Sequence, residues 1–352
     1  MTSDPAVAQD IGSGSLHLSG QFAGAGSSAQ KAAVEAWIAG YNVYQPSVDI
    51  AYDPSGSGAG VNSFLQGATL WAGSDKPLTQ EQKKTSTAVC AGQEAVDLPV
   101  YISPLAVIYN LPGLNGTHIT MTSAVIADVF NGTITNWNDA RIKELNPKIA
   151  GKLPDLAITP VWRSDKSGTT NSFQEYLHQA AAKQWSATPQ ETWPNNIGQG
   201  AKGTAGVVSA LSQASGTIGY ADAAQSGNLG TVAVSMNAGD GARVSVSPDA
   251  KKAANLVADA LTKLDAKSDD LTLNLNHALD NSSVYPITQI SYSIVCPAYT
   301  ESANSRFVGS WLEFQSSEQG QKLAASNAGS SPLPAQLRTR ITTFAKRLME
   351  AE

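Results

Sequence analysis

At 352 residues the chain is too long for one small domain, and two lobes are the natural expectation. Its residues are 42% hydrophobic and 15% charged, with no low-complexity tract, which is enough apolar material for two sizeable cores. The formal charge of −6 argues against a nucleic-acid groove, which needs a basic stripe, but leaves room for an anion held by neutral donors.

Met1 to Ser15 is polar and rich in Gly and Ser. It lacks the basic start and apolar core of a signal peptide, and is expected to be a flexible leader left after removal of an export signal. No apolar run approaches the ~20 residues of a membrane span.

From residue 16 onward one pattern recurs: a short apolar strand, a turn of Gly, Ser and Thr, then an amphipathic helix. The first strand is expected at Leu16 to Leu18, with its turn at Gly24 to Ser28. Val34, Trp37, Ile38 and Tyr41 then fall on one helical face. The second unit of the pattern is "VDIAY" (48–52), the turn "DPSGSGAG" (53–60), and a helix carrying Val61, Phe64 and Leu65. In the third, "TLWAGSDKPLTQEQ", a strand ends at Ser74-Asp75, and Pro77 and Thr79 open a helix. "GTITNWNDARIKELNP" (132–147) predicts a helix capped near Asn136 and stopped by Pro147. In the fourth, Ile158 to Trp162 is the strand and Ser167, Gly168 and Thr169 are the turn. Phe173, Tyr176, Leu177, Ala180 and Ala181 form the helix stripe. "AGVVSALSQASGTIGYAD" (205–222) predicts a helix followed by a strand ending at Tyr220.

Strands alternating with helices imply α/β layers with a mainly parallel sheet. "DLPVYISPLAVIYNLPG" (97–113) and "YPITQISYSIVC" (285–296) stand apart as long, β-branched, Pro-bounded strands. If each is a crossing between lobes, the two make a hinge. A leader (1–15), a first lobe (16–101 plus 286–352) and an inserted second lobe (102–285) are then expected.

The chain has two cysteines, Cys90 and Cys296, and four scattered histidines, with no ligand spacing for zinc. The cysteines are either buried thiols or, in an exported protein, one disulfide.

The Gly/Ser/Thr turns are the candidate site. A helix start has unpartnered N–H groups and a positive dipole end, small residues let an anion reach the backbone, and hydroxyls add donors. Any single such turn is explained as an N-cap. Three of them followed by a fourth bearing Arg163, whose guanidinium fork matches an oxyanion, are less easily explained so. Asp75 is the odd member. As a helix cap or an ion-pair partner of Arg163 it needs no ligand. In an anion site, however, a carboxylate repels sulfate and accepts a hydrogen bond from the O–H of HPO₄²⁻ or H₂PO₄⁻. Catalytic patterns are missing: there is no G-x-x-x-x-G-K-[ST] loop and no G-x-S-x-G elbow. Asp155 and Asp165 flank Arg163 as ordinary loop carboxylates, and Lys166 is expected to face solvent or form the turn.

"GAGSSAQ", "SGSGAGV", "AGSDKPL", "AVIYNLPG", "VFNGTITNWND", "LNP", "ITPVWRSDKSGTTNSFQEYL" and "YPIT" occur in this order. With them the chain resembles the phosphate-binding protein of the phosphate-specific ABC importer, the PstS family, in its actinobacterial branch, over about residues 16 to 290. The resemblance implies a two-lobed type II periplasmic-binding-protein fold joined by a two-strand hinge, with phosphate held dehydrated between the lobes. Carried over by motif, the phosphate-binding residues are Ser28, Ala29 (through its N–H), Ser57, Asp75, Arg163, Ser167, Gly168 and Thr169, with Asp165 supporting Arg163. Two positions depart from many relatives, which have Thr-Phe for Ser28-Ala29 and Gly for Lys166. Neither removes a contact. The resemblance further implies export and a Cys90–Cys296 disulfide. Relatives of Gram-positive type are usually tethered by a lipidated N-terminal cysteine, and no cysteine precedes Cys90 here. The expectation is therefore a monomeric receptor that takes inorganic phosphate to a membrane permease, with no cofactor, metal or catalysis. The alternatives are a phosphate-ester hydrolase, or a receptor for arsenate, sulfate or molybdate.

Overall fold

The computed structural model describes residues 16–350, so the expected leader lies outside the described residues. In chain order it begins with β1 (Gly20–Gly26), α1 (Lys31–Tyr44), β2 (Val48–Asp53), α2 (Ser57–Leu65), β3 (Trp71–Ser74), α3 (Gln80–Ser86) and β4 (Val96–Tyr109). There follow β5 (Thr120–Met121), α4 (Ser123–Phe130), α5 (Ala140–Leu145), β6 (Thr159–Arg163), α6 (Gly168–Ala180), β7 (Gln199–Ala201) and α7 (Gly203–Gln213). Then come β8 (Thr217–Asp222), β9 (Gly230–Thr231), β10 (Ala233–Asn237), β11 (Arg243–Val246) and α8 (Ala250–Leu261). The chain ends with β12 (Thr288–Val295), α9 (Ser302–Ser316), α10 (Glu318–Ala328) and α11 (Ala335–Met349).

These elements form two compact units. The first comprises the chain up to Ile102, Lys263–Leu273 and the chain from Ile290; the second comprises Ser103–Thr262 and Asn274–Gln289. β4 runs from the first into the second after Ile102, and β12 returns after Gln289.

The segment Lys263–Leu273 departs from the expected division, which placed it in the second lobe, and the chain passes between units at 262/263 and 273/274 as well. Polar bonds to distant residues fasten it to the first unit. Lys83 Nζ reaches Asp270 at 2.5 Å and Asp97 at 3.4 Å, and Leu271 N–H donates to Asp97 O at 3.0 Å. Arg340 donates to Asp265 O at 2.8 Å, and Leu273 N–H to the Tyr292 hydroxyl at 3.1 Å. Burial first, then the Asp270 charge, push the Asp97 carboxyl up to about 7 despite the opposing pull of Lys83.

In the first unit the strand order is β2-β1-β3-β12, with β1 parallel to β2 and β3, and β12 antiparallel to β3. The first strand lies at Gly20–Gly26, not Leu16–Leu18. Its glycines looked like a turn in sequence, yet they are what lets the strand be covered: a Cβ on Gly24 would fall 2.1 Å from the Trp71 ring. On α1, Val34, Trp37 and Tyr41 are buried and Ile38 is partly so. They meet α9 and α10, with Tyr41 edge-on to Trp311 at 5.4 Å and Phe22 stacked on Phe307 at 3.9 Å. α3 starts at a capping box formed by Thr79 and Gln82.

In the second unit β4 pairs antiparallel with β8, and β6 lies parallel to β8 and β7. A separate sheet has the order β11-β10-β5. Phe173, Trp193 and Tyr220 stack in the core, with Phe173 and Tyr220 centroids 4.7 Å apart. The helix expected to be capped near Asn136 is α5, capped by Asp139, whose side chain accepts from Arg141 N–H. Asn136 is used elsewhere: its Oδ1 accepts from Asn138 N–H and its Nδ2 donates to Asp155.

Cys90 and Cys296 form a disulfide, with a sequence separation of 206 and both residues in the first unit. Replacing both by Ser is expected to cost about 2–5 kcal/mol of stability. Denaturant melts of the variant and of the reduced protein check this, and unchanged midpoints would show that the bond contributes nothing.

Candidate functional site

The predicted site residues fall into two groups, one in each unit. In the first unit, β1 ends at Gly26, whose φ of +147° leaves the range that side-chain-bearing residues favour. A Cβ there would lie 1.9 Å from Gly73 O, and Ser27 N–H donates to that same carbonyl at 2.8 Å. α2 starts directly above: Gly56 N–H donates to Gly26 O at 2.8 Å, and a Cβ on Gly60 would meet Gly26 Cα at 2.2 Å. The glycines of "SGSGAG" thus bring the start of α2, where helical N–H groups have no helical partner, against the end of β1.

This approach sets Ser57 beside Asp75, which is 5% exposed just after β3. Ser57 Oγ accepts from Asp75 N–H at 3.2 Å and donates to Asp75 Oδ2 at 3.5 Å. Ser27 Oγ donates to the same Oδ2 at 2.8 Å, and Ser291 Oγ donates to Oδ1. Ser28 and Ala29 are buried in the turn before α1, and Ala29 N–H donates to Ser27 Oγ at 3.1 Å. Tyr52 on β2 donates from its hydroxyl to Ser27 O at 2.9 Å.

Sequence reasoning named Ser28, Ala29, Ser57 and Asp75 in this unit and missed Ser27, Ser291 and Tyr52. A signal for Ser291 did exist. In "ISYSIV", Ser291 and Ser293 alternate with Ile290, Tyr292 and Ile294, so one face of a buried strand is hydroxylated. Nothing in sequence singles out Ser27 over Ser28.

In the second unit, β6 ends at Arg163, which is 3% exposed. Its Nε donates to Asp165 Oδ1 at 2.7 Å and its Nη2 to Oδ2 at 2.5 Å, a two-point pair on one side of the fork. Gly203 N–H, at the start of α7, also donates to Asp165 Oδ1, at 3.0 Å. Burial opposes the charge on Asp165, but the Arg163 hydrogen bonds and charge outweigh it and hold the carboxyl below its ordinary range. Arg163 N–H donates to the Tyr220 hydroxyl at 3.2 Å, which lies 2.6 Å from Thr170 Oγ1. Burial pushes that phenol up to about 12, so it stays neutral.

Ser167 caps α6 by accepting from Thr170 N–H at 3.1 Å, and Gly168 and Thr169 occupy the buried first turn. Arg163 and the start of α6 are therefore brought together, while Lys166 between them is exposed. Tyr220, which braces both Arg163 and Thr170, was read in sequence only as the end of a strand. Asp155 is bonded to Asn136 instead of joining this group.

Paired α/β units with hydroxyl-lined helix starts at strand ends define a class, and residues 12–319 match the PBP superfamily domain. Phosphate-binding protein PstS 2 of Mycobacterium tuberculosis is 32% identical over 337 residues, 94% of this chain and 88% of that protein. Phosphate-binding protein PstS 3 of Mycobacterium leprae is 31% identical over 327 residues, 92% of this chain and 85% of that protein. The chain belongs to the PstS family of phosphate-binding proteins. Solved structures share the fold. A high affinity periplasmic phosphate-binding protein (PfluDING) bound with phosphate aligns with a TM-score of 0.71 at 20% identity, covering 92% of this chain and 93% of that one. The phosphate-binding protein of Stenotrophomonas maltophilia aligns with a TM-score of 0.64 at 16% identity, covering 92% and 94%.

Proposed function

We propose that this chain captures inorganic phosphate outside the cytoplasm, as a monomer, and delivers it to the membrane permease of an ABC importer without breaking a bond. The observation that carries this reading is its likeness, over nine-tenths of its length, to proteins named phosphate-binding protein. The chemistry of the two groups supports it. One phosphate would engage Ser28, the Ala29 N–H, Ser57 and Asp75 from the first unit, and Arg163, Ser167, Gly168 and Thr169 from the second. Arg163 supplies charge already oriented by Asp165, and the helix starts supply N–H groups fixed in advance. Asp75 accepts the ligand's own proton, and so favours HPO₄²⁻ and H₂PO₄⁻ over sulfate.

Titration calorimetry is expected to give one phosphate per chain and far weaker sulfate binding near neutral pH. Asp75→Asn is expected to narrow that gap by about tenfold to a hundredfold, the scale of one hydrogen bond to a charged group. Comparable phosphate and sulfate affinities in the parent protein would sink this account of Asp75.

A further inference from the structure

We infer that Ser291 and Ser27 are positioning residues that hold Asp75 as an ionised, acceptor-only carboxylate, and that they thereby set the pH range over which the site tells phosphate from sulfate. This inference rests on the phosphate-binding reading above and deepens it.

The argument starts from register. β12 is antiparallel to β3, with Tyr292 opposite Ser74 and Ser293 opposite Gly73. Extending that ladder by one residue sets Ser291 across from Asp75, where side chains share a face and meet. The Ser291 hydroxyl accordingly donates to Asp75 Oδ1. From the other side Ser27 donates to Oδ2 at 2.8 Å, with its own backbone locked by Gly73 O and the Tyr52 hydroxyl. Both oxygens of a carboxylate that is 5% exposed thus receive a hydroxyl proton from a side chain other than the predicted ligand contacts.

Hydrogen bonds donated to a carboxylate favour its charged form, and burial alone would favour the neutral acid. The Ser27 and Ser291 hydroxyls act on the side of the charged form. On β2, Tyr52 is pushed well above its ordinary range by burial first and then by the charges of Asp75 and Asp53, so it stays a neutral phenol. On β12, the Tyr292 hydroxyl is occupied with Leu273. Lys76 follows in the chain, with its N–H donated to Ser74 Oγ at 3.1 Å. The turn after β1 and the start of α2 present Ser27 and Ser57, which do not titrate.

The chemical consequence concerns which anion is admitted. An ionised Asp75 has no proton to give, so it accepts from a protonated phosphate and repels sulfate. A protonated Asp75 carries an O–H that donates equally well to sulfate. Taking away Ser291 or Ser27 therefore does more than loosen a side chain. It lets Asp75 take up a proton as the pH falls, and discrimination fades in acid.

The test titrates phosphate and sulfate against the parent protein, Ser291→Ala, Ser27→Ala and Ser291→Thr between pH 5 and 8.5. The expectation for both alanine variants is phosphate affinity within about threefold of the parent at pH 8.5, and sulfate binding strengthened about tenfold or more at pH 5. Ser291→Thr keeps the hydroxyl and is expected to restore the parent's pH profile. A phosphate-to-sulfate ratio that stays at the parent value at every pH would overturn the inference. So would equal weakening of both anions at all pH values, which is what a purely structural role produces. Failure of the underlying reading looks different, because the parent protein itself would then not bind phosphate.

Discussion

Arg163→Ala is expected to weaken phosphate binding by about 30-fold to several thousand-fold, the equivalent of roughly 2–5 kcal/mol for truncating one member of a buried, hydrogen-bonded charge pair. Two effects combine. The anion loses a charged donor, and Asp165 remains in its place as a partly buried carboxylate supported by Gly203 N–H alone among the bonds described above. Arg163→Lys keeps the charge but not the fork, so it is expected to fall between the parent and the alanine variant. Calorimetry measures the affinity, and a thermal melt separates lost binding from lost folding. Unchanged affinity in a folded Arg163→Ala protein would place the site elsewhere. The same pair has a pH signature. Arg163 depresses the Asp165 carboxyl in the folded chain, so the pair's contribution to stability is complete above the unfolded carboxylate value near ~4. It is lost as the pH falls through the depressed value, and Arg163→Ala is expected to remove that part of the acid sensitivity.

The second large effect is expected from Gly26→Ala. The residue needs a positive φ of 147°, and its new methyl would sit 1.9 Å from Gly73 O and 2.8 Å from the Gly73 carbonyl carbon. Backbone cannot rotate aside as a flexible side chain can, so β1 and β3 must separate. A cost at or above the roughly 1–3 kcal/mol typical of overpacking is expected, with loss of phosphate binding in whatever protein still folds. The binding loss follows because the predicted contacts Ser57 and Asp75 are both placed by this approach: Ser57 through the closeness of α2 to Gly26, and Asp75 through its bonds to Ser57. A denaturant melt and a phosphate titration check it. A variant as stable and as tight-binding as the parent would show that the strand ends yield more easily than the geometry implies.

Much of this architecture was legible in the sequence for a physical reason: the informative signals were local. Val34, Trp37 and Tyr41 share a helix face whatever lies opposite them, and Pro77 with Thr79 marks the start of α3 within three residues. Arg163 and Asp165 are two residues apart, so their pairing needed only the turn between them. The misreadings came where a local signal had a distant cause. Gly24 and Gly26 read as a turn, but they are strand residues made small by Trp71 and Gly73. The segment 263–273 carried no periodicity to read, because isolated polar bonds to Lys83, Asp97, Arg340 and Tyr292 hold it.

The sequence by itself determined the repeated strand–turn–helix units, the positions of the hydroxyl-rich helix starts and the presence of Arg163, Asp75 and Asp165 among them. It did not determine which hydroxyls meet Asp75. That was decided by the pairing of β12 with β3 and by the closeness of α2 to β1, contacts between residues far apart in the chain. A hydrogen bond is specified to tenths of an ångström, while a sequence motif specifies only which donors are within reach. Ser27 and Ser28 are neighbours of the same type in sequence, and only the tertiary fold aims the first of them at the carboxylate.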